Sequence, residues 1–170
     1  YIDIAALDRS GSFKAYVARP APSPKAAIVV IQEIFGINPG IRKMCDDWAA
    51  EGYLAIAPDL FWRIEPGIVL DADVEQEMAR AFDLYGKFDP DKGIADIEAA
   101  IKKARELAGK KVGVVGYCLG GKMTFLAATR TDADACVSYY GGGIDQLLGE
   151  QHAIGKPLML HLAKEDQYIG

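Results

Sequence analysis

The sequence predicts an α/β fold, a mostly parallel sheet flanked by helices, from three observations. Short continuous apolar runs of strand length recur along the chain, segments with apolar residues at helical spacing lie between them, and Gly, Pro, Asn and Asp stand at the junctions. Strands that are apolar on both faces belong to a sheet covered by helices on either side. Such a sheet gathers its functional groups at the carboxyl ends of its strands.

The elements follow in order. Tyr1 to Arg19 holds two alternating stretches around the turn-rich Asp8-Arg9-Ser10-Gly11-Ser12 and reads as a β-hairpin. Pro20, Pro22 and Pro24 make a stiff connection to Ala26 to Ile31, the first buried-strand run; further runs are Leu54 to Ala57, Val112 to Val115, Ala135 to Tyr140 and Leu158 to Leu162. The first helix has Asn38 as cap, Pro39 at its first position and Ile41, Met44, Cys45, Trp48 and Ala49 on one stripe, with Gly52 closing it. A second helix covers part of Asp71 to Tyr85. A third starts at Asp89-Pro90 and carries Ile94, Ile97, Ile101, Ala104 and Ala108 before Gly109.

With 170 residues, 51% in the hydrophobic set and 25% charged, the composition is that of a soluble globular domain, and residues 1–170 read as one domain. The net charge of -5 and the scattering of the 19 basic residues argue against nucleic acid as a partner. No apolar run has bilayer length and no signal-peptide pattern opens the chain, so a cytoplasmic location with no membrane partner is expected, and a monomer or small homo-oligomer. Cys45, Cys118 and Cys136 form no Cys-x-x-Cys pair, which leaves neither a disulfide framework nor a thiolate metal site. Cys45 on the helical stripe and Cys136 within a strand read as buried small hydrophobes.

Val112-Gly113-Val114-Val115-Gly116-Tyr117-Cys118-Leu119-Gly120-Gly121 runs a buried strand into a Gly-x-Cys-x-Gly-Gly turn and then a helix through Lys122 to Thr129. This is a nucleophile elbow with sulfur in place of oxygen, and Gly116, Gly120 and Gly121 supply the small flanks that so tight a turn needs. A thiol at a helix N-terminus is expected to favour its thiolate. The Leu119 amide is the candidate oxyanion donor, with a second from the loop near Ile34. A structural cysteine or a nucleotide-binding glycine loop fits less well: the glycines depart from Gly-x-Gly-x-x-Gly, and Ala135 to Tyr140 does not end in an acidic residue.

Four motifs together make the chain resemble the dienelactone hydrolases, or carboxymethylenebutenolidases, of the α/β-hydrolase fold: Gln32-Glu33-Ile34-Phe35-Gly36, Ala57-Pro58-Asp59-Leu60-Phe61, Gly116 to Gly121, and Tyr139-Tyr140-Gly141. The resemblance implies hydrolysis of a small ester or lactone with no cofactor or metal, through a Cys, Asp, His triad assisted by a glutamate. It maps these roles to Cys118, Asp166 and Glu33, with Ile34 and Leu119 as backbone oxyanion donors. Asp166 also lies in a polar turn, Lys164-Glu165-Asp166-Gln167, straight after a strand run, where the order nucleophile, acid, histidine places an acid; Glu165 is its rival. Glu33, at a strand end, is placed to take the thiol proton, and Gln32 reads as an ordinary polar neighbour. His152 and His161 both precede Asp166, and His161 sits in a strand run where a core histidine is expected. The triad histidine is therefore expected beyond Gly170, in a C-terminal portion that would also cover apolar surface.

The resemblance further implies a cation for a substrate carboxylate. Arg63 and Arg80 are candidates, although Met78 falls at the matched position, which leaves an esterase acting on another substrate open. Arg80, Phe82 and Tyr85 are taken as substrate-binding residues, and Trp62 as a further pocket aromatic. The alternative from another class is a non-catalytic or redox-responsive protein of the same fold, with an exposed low-pKa thiol.

Overall fold

The computed structural model describes residues 1–166, 168 and 169. Strands β1 (Ile2–Ala5) and β2 (Ser12–Ala18) form the N-terminal hairpin, and β2 pairs antiparallel with β4 (Leu54–Pro58). From there the sheet is parallel through β3 (Ala27–Ile31), β5 (Val112–Tyr117), β6 (Ala135–Tyr139) and β7 (Leu158–His161), in the order β1-β2-β4-β3-β5-β6-β7. The carboxyl ends of β3, β5, β6 and β7 thus share one edge, where the loops carrying Glu33, Cys118, Tyr140 and Asp166 meet.

Local signals explain the helices. In α1 (Pro39–Ala50) the Asn38 side chain accepts from the Ile41 amide at 3.0 Å, and Ile41 and Cys45 turn into the core. In α3 (Pro90–Ala108) Asp89 caps the start by accepting from the amides of Asp91 and Lys92, and Gly109 ends the helix in the left-handed conformation. Helix α2 spans Glu75–Lys87 and α4 spans Leu119–Arg130. The two sheet faces are covered by separate cores. Ile97, Ile101 and Ala104 of α3 and Met123 and Leu126 of α4 pack against Val29, Ile31, Ile56 and Val114 on one face. Ile41 and Cys45 of α1 pack against Val30, Ala55, Ala57 and Val115 on the other.

The structure adds or corrects several elements. Ile144–Ala153 is a 3-10 helix that no periodicity announced, lying between β6 and β7. Cys136 is buried, as Cys45 is. His161, expected in the core, is exposed: β7 is the outermost of the described strands, and the imidazole only stacks on Tyr139, ring centroids 4.4 Å apart. Met159, Leu160 and Leu162 are exposed along the same segment. No described helix is long and apolar enough to cross a membrane.

Candidate active site

The turn after β5 is set by close backbone contacts. A Cβ on Gly116 would stand 2.0 Å from the Gly120 carbonyl oxygen, and one on Gly120 would stand 2.4 Å from that of Ile31. Only glycine lets α4 approach the sheet so closely. Cys118 itself has φ 55° and ψ -115°, a strained conformation for a side-chain-bearing residue. The surroundings hold it there: its N–H donates to Tyr139 O at 3.1 Å, Thr124 Oγ1 donates to Gly120 O at 2.7 Å, and Ser138 Oγ donates to Gly121 O at 2.8 Å.

Cys118 opens into a pocket of about 470 Å³ whose wall is mostly apolar, with Ile34, Phe35, Met78, Phe82 and Leu119 among the lining residues. Asp166 lines the same pocket, whereas Glu165 is exposed and does not. Asp166 Oδ1 accepts from the Tyr168 amide at 2.7 Å. Gln167 of the polar turn lies outside the described residues. Among the described residues, neither the Leu119 nor the Ile34 amide donates to a backbone carbonyl outside the regular elements.

Glu33 does not line this pocket; it is half-buried and accepts from the Tyr140 hydroxyl at 3.3 Å. Tyr140, at φ 39°, is a second strained residue at the edge, and it lines the pocket. Its contact with Glu33 went unread in the sequence, although the Tyr139-Tyr140-Gly141 motif marks the spot. Burial pushes the Glu33 carboxyl above its usual value, with the Tyr140 hydrogen bond opposing.

Burial also pushes the Cys118 thiol up; hydrogen bonding by the Leu119 N–H pulls it down, and the nearby negative charges of Glu33 and Asp166 raise it further. The expected thiolate is thus overturned: the helix-terminal amide is present but outweighed. A low-pKa redox thiol is disfavoured by the same balance. Cys45 and Cys136 are pushed up to about 12 by burial.

Other expectations are redistributed. Gln32 is fully buried rather than an ordinary neighbour, and its Oε1 accepts from the Leu60 amide at 3.0 Å, tying the end of β3 to the loop after β4. Asp59 of the same loop accepts from the Phe61 and Gly67 amides. Phe82 and Tyr85 line the pocket from α2, but Arg80 does not: it pairs with Glu65. Arg63 forks onto the fully buried Asp96 and also reaches Asp8, each at 2.8 Å. Trp62, expected in the pocket, instead donates from Nε1 to Asp96 at 2.8 Å and packs on Phe13, because that buried carboxylate needs every donor it can find. His152 is exposed, its Nδ1 3.0 Å from Gly149 O. Among the described residues no three His, Cys, Asp or Glu side chains gather into a set fit to hold a metal ion.

A parallel sheet in this strand order, with a strained cysteine elbow after β5 and an acid after β7, defines an α/β-hydrolase. The dienelactone hydrolase family model matches residues 13–170. The chain is 40% identical over 161 residues to carboxymethylenebutenolidase 1 of Cupriavidus pinatubonensis, an alignment covering 94% of this chain and 69% of that protein. It is 39% identical over 160 residues to the carboxymethylenebutenolidase of Pseudomonas putida, covering 93% and 68%. An Azospirillum brasilense protein that carries the same name provisionally is 45% identical over 172 residues, covering 99% and 73%. Among solved structures, a dienelactone hydrolase-like promiscuous phosphotriesterase from metagenomic libraries superposes with a TM-score of 0.75 at 21% identity, covering 99% of this chain and 70% of that one. The dienelactone hydrolase of Anabaena variabilis does so with a TM-score of 0.64 at 15% identity, covering 98% and 86%. The chain belongs to the dienelactone hydrolase family, and it is a carboxylic-ester hydrolase of the carboxymethylenebutenolidase type.

Proposed function

We propose that the protein hydrolyses a small ester or lactone through a covalent thioester on Cys118. The observation that carries this reading is the placement of a strained, half-buried thiol on the wall of an apolar pocket that Asp166 also lines, within reach of the Glu33 charge.

The thiol rests protonated, since burial and two neighbouring carboxylates disfavour its charge. Glu33 takes the Sγ proton as substrate binds, and Tyr140 steadies the carboxylate that does so. Sγ then attacks the carbonyl carbon, and the Leu119 and Ile34 amides receive the charge that forms on its oxygen. Collapse of the tetrahedral intermediate breaks the bond to the alkoxy or enol oxygen, which leaves with the proton that Glu33 took from Sγ. Water then attacks the thioester, returning the acid and the free thiol.

The group that activates this water is a histidine oriented by Asp166. In the order nucleophile, acid, histidine it follows Asp166 in sequence; His152 and His161 precede it and do not line the pocket. In this reading residues 1–170 belong to a single hydrolase domain, and no nucleic-acid or membrane partner enters it.

The test is turnover of p-nitrophenyl butyrate by the intact protein and its Cys118→Ala and Asp166→Asn variants. Loss of triad members elsewhere costs on the order of a thousandfold or more. A Cys118→Ala variant within tenfold of wild type would remove the thioester from the mechanism.

A further inference from the structure

Gln32 is fully buried, and both ends of its side-chain amide are engaged. Oε1 accepts from the Leu60 N–H at 3.0 Å, and Nε2 donates to the Glu33 carbonyl oxygen at 3.1 Å. The second bond fixes a peptide plane. The Glu33 carbonyl shares its peptide with the Ile34 N–H, and that peptide is trans, so the two groups point in opposite directions. A donor that holds the carbonyl on one side therefore aims the N–H to the other. Ile34 lines the pocket with Cys118, and its amide donates to no backbone carbonyl among the described residues.

The Leu119 amide is aimed in the same manner by different means. Its peptide partner, the Cys118 carbonyl, accepts from the Lys122 N–H at 3.2 Å, a bond of helical spacing at the start of α4. Main-chain atoms alone hold that peptide from behind. The Glu33–Ile34 peptide follows the end of β3, in no strand or helix, so no regular ladder holds it. The Gln32 side chain supplies the missing donor. It is itself tied to the loop after β4 through Leu60, and α4 closes on the same backbone: a Cβ on Gly120 would stand 2.7 Å from Gln32 O. A carbonyl that accepts a hydrogen bond also leaves its own peptide N–H the stronger donor.

We propose that Gln32 is a positioning residue of the oxyanion hole, its Nε2–H holding the Glu33 carbonyl so that the Ile34 N–H faces the oxygen of the carbonyl under attack. This rests on the hydrolase reading of Cys118 and Ile34, and it gives the buried amide a part in the reaction that it never touches.

The test compares two reactions of Cys118 in the intact protein and in its Gln32→Met and Gln32→Glu variants. Acylation by p-nitrophenyl butyrate, read as p-nitrophenolate released in the first turnover, builds charge on a carbonyl oxygen. Alkylation by iodoacetamide displaces iodide and builds none there. The ratio of the two rates cancels changes in thiol ionisation and in the folded fraction. It should fall by about tenfold to a hundredfold, short of the roughly hundredfold to thousandfold that outright loss of an oxyanion donor costs, with kcat rather than KM carrying the fall. Gln32→Glu, measured in alkaline buffer where its carboxylate is ionised, keeps an acceptor for Leu60 and loses the donor to Glu33; it carries the test alone if Gln32→Met does not fold. A ratio equal to wild type would overturn the assignment, and so would a fall in Gln32→Met alone, which would trace the effect to the Leu60 bond. Butyraldehyde separates the proposal from the hydrolase reading. The thiol adds to it reversibly, Sγ bonding to carbon and the proton passing to oxygen, so protection of Cys118 from iodoacetamide probes the same hole without ester turnover. The half-protecting concentration should rise about threefold to tenfold in Gln32→Glu, the worth of one hydrogen bond; an unshifted value would overturn the proposal. If the wild-type protein turns over no ester while this shift appears, the positioning role stands and the ester-hydrolase reading is the part that fails.

Discussion

Replacing Glu33 by glutamine should separate three effects that a purely structural carboxylate would not produce together. Glutamine keeps the shape and an acceptor oxygen for the Tyr140 hydroxyl, now 3.3 Å from Glu33 Oε1, but removes the charge and the basic site. The first effect is on the thiol. Glu33 is one of the charges holding the Cys118 pKa up, so Glu33→Gln should move the pH profile of iodoacetamide alkylation to lower pH. Burial, the largest cause, remains, and the thiol stays mostly protonated at neutral pH. The second effect is on turnover, which should fall because the proton acceptor is gone. General-base catalysis is worth roughly a hundredfold to ten-thousandfold, and a hundredfold is about 2.7 kcal/mol of barrier. The third effect is on stability. The Glu33 pKa is raised in the folded protein above its ordinary 4.5, so folding is favoured most below that value and loses stability as pH rises through the folded pKa. At neutral pH the ionised carboxylate is therefore a cost, and Glu33→Gln should unfold at a urea concentration no lower than wild type, the difference closing in acid. Unchanged turnover, or an alkylation profile displaced to higher pH, would refute this reasoning.

Tyr140→Phe removes a hydroxyl that stabilises the Glu33 carboxylate, so the acid limb of the kcat/KM profile should move to higher pH; an unmoved limb would uncouple the two residues. Gly120→Ala would put a Cβ 2.4 Å from Ile31 O and 2.7 Å from Gln32 O, both backbone atoms that cannot rotate away. Urea denaturation should show a loss of about 1–3 kcal/mol or more, where an unhindered helical glycine would gain about 0.5–1 kcal/mol from alanine. A neutral or stabilising result would mean that the elbow tolerates more space than its contacts allow.

The parts of the fold legible in the sequence are those governed by neighbours along the chain. Asn38-Pro39, Asp89-Pro90 and Gly109 mark helix ends by local hydrogen bonding and backbone preference, and the β5-turn-α4 glycines announce an elbow because its crowding is local. What escaped depends on distant partners. Gln32 looks polar and dispensable until the Leu60 amide, 28 residues away, is found to need its oxygen. Trp62 looks like a pocket aromatic until Asp96 claims its N–H. His161 sits in an apolar run, yet the strand order leaves that run outermost among the described strands. The thiol pKa is the clearest case: the helix terminus is visible in sequence, whereas the depth of burial and the convergence of Glu33 and Asp166 exist only once β3, β5 and β7 are side by side.

The most direct test of the account is whether acyl groups pass through Cys118. The intact Asp166→Asn variant, in which deacylation is impaired, is mixed with p-nitrophenyl butyrate, quenched in acid within the first turnovers and digested for mass spectrometry. The account predicts a butyryl increment on the peptide containing Cys118, one equivalent per chain, absent from the peptides of Cys45 and Cys136 and lost in a Cys118→Ala background. Steady hydrolysis that survives Cys118→Ala, or a butyryl group found on another residue, would contradict it.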